Sequence, residues 1–109
     1  MSEHKLSETD WKRWVYIADK ARKRFEERVL ADAVKLAKGP GTSAERYAKL
    51  SKLLTQADDV IAAVFDDQKR TRAALQIATA VAEGVVAETE LGEFSQESQA
   101  AIAAARESL

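Results

Sequence analysis

Cysteine is absent from this chain and histidine occurs once, at His4. The first absence removes disulfides and thiolate chemistry, and the two together leave no familiar transition-metal ligand set. His4 sits alone in a polar N-terminal stretch and reads as a solvated bystander. No Gly-rich phosphate loop is present, and the serines and threonines have no histidine to serve as their base. No cofactor, metal site or catalytic constellation is therefore expected. No run approaches the ~20 apolar residues that a bilayer requires, and Met1–Glu8 lacks the apolar core of a signal peptide. The expectation is a cytoplasmic protein with no membrane partner. Aromatic residues are also scarce, at 6%, while alanine dominates the apolar set. Core packing then depends on close helix approach rather than on large side chains.

Proline occurs once and glycine four times in 109 residues, so long stretches run without a breaker. The length suits one small all-α domain, 1–109. From Glu8 to Lys38 nothing interrupts a helix, with Ser7 or Thr9 available as its cap. Met1–Leu6 reads as a frayed tail. Trp11, Trp14, Ala18, Ala21, Phe25 and Val29 recur at spacings of three and four, which gives a broad apolar stripe. Gly39-Pro40-Gly41 stops this helix, Gly39 being read as a left-handed cap. Thr42 with Glu45 fits a capping box for the next one. So short a loop makes the two helices antiparallel neighbours, with Phe25 opposite Gln56 and Ala57.

The central stretch, 43–91, reads as one long helix or as two in line, broken near 66–70. Leu50, Leu54, Ala57, Ile61 and Val64, then Leu75, Ala78, Ala82 and Val85, keep a coiled-coil seam. Gln68 and Thr71 form a polar layer at its middle. Continuity is slightly favoured, and a continuous rod would be ~73 Å long. Gly84 is read as lying inside it, at a close helix contact. A final helix, 95–108, starts at Phe94-Ser95 and folds back on the Ala/Val strip.

This architecture leads to an oligomer. A straight rod carrying a hairpin at each end is only two helices thick, and a second copy would close the bundle. Dimerisation is expected through Leu75, Ala78, Val81, Ala82, Gly84 and Val85, with Ala78 and Gly84 at the closest approach. A rod broken near Asp66 would instead let one chain close its own bundle.

Charge gives a second signal. Residues 1–54 carry thirteen Lys and Arg against eight Asp and Glu, whereas residues 55–109 carry four against ten. Such a chain either folds its halves together or offers them to different partners. Arg13, Lys20, Arg24, Arg28, Lys35 and Lys38 share one face of the first helix, a face suited to nucleic acid or an acidic partner. Arg22 points into the apolar stripe and is expected to form a buried ion pair with Asp58. The adjacent pairs Asp58-Asp59 and Asp66-Asp67 point about 100° apart on a helix and do not converge on one ion.

The composite reading is a non-catalytic interaction module, acting as a structural, adaptor or regulatory component through protein–protein contacts. A nucleic-acid-associated protein using the basic face is the alternative. A small enzyme binding an anionic ligand through Arg22 comes third.

Overall fold

The structure, a computed structural model, describes residues Lys5–Leu109, and His4 lies outside the described residues. Four α-helices and one 3₁₀ segment pack against one another: α1 (Glu8–Lys38), α2 (Ser43–Val64), α3 (Ala73–Ala82), the 3₁₀ segment Glu88–Glu93, and α4 (Gln96–Glu107). No strand occurs among the described residues, and no helix there is long and apolar enough to cross a membrane.

The central stretch is broken, and here the structure departs from the continuous rod. At the end of α2 the Ile61 carbonyl accepts from both Phe65 N and Asp66 N as the helix unwinds. Asp67 then takes φ 51°, a left-handed conformation that Asp tolerates better than most residues. Its carboxylate accepts from Arg72 Nη1 at 2.8 Å. The Asp66 carbonyl, which would point along a continuing helix, accepts instead from Gln76 Nε2 at 2.9 Å. Gln76 is itself buried, so one side chain closes the break from inside the core. The gain is apolar: Phe65, Ala73, Ala74 and Ile77 are all buried once the chain turns. A straight rod would leave much of that surface wet. The molecule measures 51 × 26 × 21 Å, well short of a straight rod's length.

α3 is the short helix at the centre, packing on α1, α2 and α4. Its alanines at 73, 74, 78 and 80 are buried and let its neighbours approach closely. Trp14, Ile17 and Phe25 from α1, Val64 and Phe65 beside α2, and Ile102 from α4 complete the core. Gly84 is a stop, not an interior contact: it lies just beyond α3 at φ 69°, with open space where a side chain would be. At the other turn the left-handed glycine is Gly41, at φ 114°, while Gly39 is extended. Gly39 is tight for another reason, since a Cβ there would stand 2.9 Å from the Lys35 carbonyl oxygen.

Of the stretch expected to fray, Met1–His4 lie outside the described residues, and Leu6 is held in place. Leu6 is fully buried. Its carbonyl accepts from Arg70 Nε and Nη2 at 3.0 and 2.7 Å. The polar run after α2 thus supplies a clasp for Leu6.

Candidate interaction surface

The molecule has a thick end and a thin end. At the thick end, the base, α3 packs on α1, and residues 84–98 are held to it through Asp10, Arg13, Arg24 and Arg28. Phe25 and Ala57 mark where that cover stops: no residue from 26 to 56 is buried. Within this arm Val29, Leu36, Leu50 and Leu53 are half-buried between α1 and α2. Leu30, Val34, Tyr47 and Leu54 are exposed by 59, 52, 74 and 44%. Two helices provide one mutual contact line, so an apolar stripe wider than that line stays wet.

Grooves run along the arm. The larger, of about 400 Å³, is lined by Val29, Leu30, Leu54, Ala57 and Ile61, with Glu26, Glu27 and Asp58 at its rim. Nearer the loop, on the side where Ala37 and Tyr47 lie, a smaller one is formed by Ala37, Ser43, Arg46, Tyr47 and Leu50. On another side Phe25, Val29, Leu53, Ala57 and Val60 enclose about 150 Å³.

The basic face of α1 is divided. Arg13 Nη1 donates to the Glu93 carbonyl, and its guanidinium also faces the Glu93 and Asp10 carboxylates. Arg24 Nη2 binds Glu90 Oε1 at 3.1 Å and the Val85 carbonyl at 3.3 Å. Arg28 donates to the Gly84 carbonyl and lies over the Phe25 ring. These three cations therefore hold the 84–93 segment onto α1, which neutralises part of the charge asymmetry within the chain. Lys20 lies over the exposed Tyr16 ring, whereas Lys35 and Lys38 stand exposed on the arm.

Arg22 does not form the expected buried pair. Its side chain is 44% exposed, and its guanidinium faces Glu26 and Asp66 at 3.5 and 3.8 Å. Asp58 is exposed on the rim of the larger arm groove. The cause is the break after Val64, which swings Asp66 beside Arg22. Exposed pairs of this kind contribute little. Arg22→Ala is therefore expected to change stability by no more than about 0.5 kcal/mol. Arg24→Ala, which frees both Glu90 and the Val85 carbonyl, should cost about 1 kcal/mol. Urea unfolding of the two variants checks the order, and a larger loss for Arg22→Ala would contradict it.

Half of the six positions expected to join two copies are spent within one chain. Ala78 is fully buried, Val85 nearly so, and Val81 is half-buried. Leu75, Ala82 and Gly84 remain exposed, with Leu75 at 47%. Close approach at Ala78 occurs, but with this chain's own helices. The physical reason is again the break, which turns the Ala-rich strip inward.

One polar cluster at the base was not foreseen. Asp10 is 2% exposed and lies between the N-termini of the first and last helices. Its Oδ2 accepts from Ser95 Oγ and from Ser98 Oγ, each at 2.6 Å. Ser95 N donates to the same carboxylate at 3.3 Å. Burial by itself would push this carboxyl up. The hydrogen bonds from Ser95 and Ser98, with the Arg13 charge, outweigh that and hold it below its ordinary value. In sequence, Asp10 has only the local look of an acid in a first turn, and Ser95 only that of a cap.

No family model, curated protein or solved structure matches this chain.

Proposed function

We propose that this protein is a non-catalytic helical interaction module whose working surface is the α1–α2 arm, an antiparallel hairpin projecting from the base. The observation that carries the reading is the exposed apolar set Leu30, Val34, Tyr47 and Leu54 on a segment with no buried residue. Scattered surface leucines need no explanation, but aligned ones on a projecting arm form a contiguous patch of the kind that partners cover. A structural, adaptor or regulatory role through protein–protein contact follows from such a surface.

The other readings draw less support. Three of the six cations on the basic face are engaged by residues 84–93, which leaves a nucleic acid a shorter stripe to follow. An anion approaching Arg22 would meet Glu26 and Asp66 first.

The test is dye binding to the arm. The wild type is expected to bind an apolar fluorophore that reports exposed hydrophobic surface. Leu30→Glu with Leu54→Glu should abolish the signal while leaving helicity unchanged, because both side chains are already half in solvent. A folded wild type that ignores the dye would sink the reading. So would a salt-sensitive complex with nucleic acid that is lost on reversing Lys35 and Lys38.

A further inference from the structure

We infer that the occupant of the arm's apolar face is a second copy of this chain, laid antiparallel across it on a two-fold axis to close a four-helix bundle. This rests on the arm being an interaction surface and goes on to name what covers it.

The argument is the order of charge along the face. At the end near the base, the groove containing Leu30 and Leu54 is rimmed by Glu26, Glu27 and Asp58. Lys23 also lines it, but its ammonium is held by Asp19 at 3.2 Å. Glu26 is likewise paired with Arg22, so Glu27 and Asp58 make that end acidic. The same face continues past Val34 to the tip, where Arg46 lines the groove beside Tyr47 and Leu50, donating to the Ala37 and Gly41 carbonyls with no carboxylate among the described residues to neutralise it. Lys38, eight residues beyond Leu30, lies about 80° around α1 from it at 100° per residue, toward the same side. The tip is therefore basic. More broadly, residues 33–52 hold Lys35, Lys38, Arg46, Lys49 and Lys52 against Glu45 alone, whereas residues 53–67 hold four aspartates and no cation.

A face that is acidic at one end, apolar in the middle and basic at the other is complementary to itself when reversed. A two-fold axis through the apolar middle, between Leu30 and Val34 on α1 and between Leu50 and Leu54 on α2, sets each basic tip over the partner's acidic end. It also lays Leu30 of each copy near Val34 of the other, the reciprocal contact that an isologous interface requires. A parallel arrangement would put like charges together. A partner of other composition would give no reason for the gradient to run within one chain.

Size sets the expected strength. The face from Lys23 to Lys38 is roughly 24 Å long and two helices, or about 20 Å, wide, a footprint of roughly 500 Å². A standard stable interface covers about 800 Å² per partner. Association is thus expected to be reversible, at tens of micromolar or weaker, and to weaken with salt.

Sedimentation equilibrium of the full chain, across a concentration series into the millimolar range at low and high salt, tests this. The wild type should move from monomer toward dimer, and high salt should oppose the shift. Leu30→Glu with Leu54→Glu should remain monomeric with an unchanged melt. Glu27→Lys alone and Lys38→Glu alone should each weaken association at least several-fold, and the double exchange should restore it. Three results would overturn the proposal: a folded wild type that stays monomeric throughout, a dimer indifferent to the leucine variants, or a double exchange no better than its singles. A wild type that binds the apolar dye yet stays monomeric would leave the interaction surface standing and remove only the second copy as its occupant.

Discussion

Ala78→Glu is expected to unfold the base of this protein rather than merely to separate two copies. Ala78 is fully buried on α3, the helix that touches all three other α-helices. A glutamate there must be buried without a partner, or must force α3 out of the core. Either costs more than about 4 kcal/mol, when burial of the charge and overpacking are combined. A domain of this size has about 5–15 kcal/mol in all, so the loss is a large share of its stability. Thermal unfolding should fall steeply, and hydrogen exchange should speed up across α3 and α4. Leu75→Glu, one turn away but 47% exposed, should shift stability by no more than about 0.5 kcal/mol. Should Ala78→Glu melt normally and alter only the molecular mass, α3 would not be the internal helix described above.

The second large effect belongs to Asp10. Asp10→Ala removes the acceptor shared by Ser95 N, Ser95 Oγ and Ser98 Oγ. It leaves the buried Ser98 hydroxyl and the part-buried Ser95 donors without an acceptor where α4 begins, and about 3 kcal/mol is expected to be lost. At the stability slope of a small domain this lowers the melting temperature by roughly 10–20 °C. Asp10→Asn, which keeps one acceptor oxygen, should lose less.

The same carboxylate predicts a pH dependence. Its folded pKa is lowered, so its contribution is fully present above the ordinary carboxyl value of 3.8. The contribution is lost as pH falls below that value through the folded pKa, where both states bind the proton. Wild-type stability should therefore drop on acidification below about pH 4 more steeply than that of Asp10→Asn. Denaturant unfolding of both proteins over that range is the measurement. Parallel curves would mean that Asp10 is not held as an anion by α4.

Local chemistry made much of this protein legible from sequence. Helix ends are short-range events: Ser7, Thr42 and Ser95 each accept from a backbone N–H three residues on. Such caps can be read from neighbouring residues alone. The stripe on α1 follows from 3.6-residue periodicity, and Trp14, Ala18, Ala21 and Phe25 are indeed buried. Periodicity says which face of a helix is apolar. It does not say what that face will meet.

That second question was decided by tertiary structure, and the central stretch shows why. The spacing from Leu50 to Val85 suits an unbroken seam, and neither glycine nor proline lies between Val64 and Ala73. The break there depends on Gln76 reaching the Asp66 carbonyl and on Phe65 finding the core, contacts that exist only after the chain has turned. Once it turns, Asp66 displaces Asp58 as the partner near Arg22, and the Ala-rich strip faces inward. Asp10 and Ser95 stand 85 residues apart, too far for any local pattern to join them. Sequence alone determined α1, the start of α2 and α4, with their caps and apolar faces, because neighbouring residues set the backbone and its hydrogen bonds there. Tertiary structure decided which faces were spent inside the base and which, along the arm, were left for a partner, because burial depends on what else is within reach.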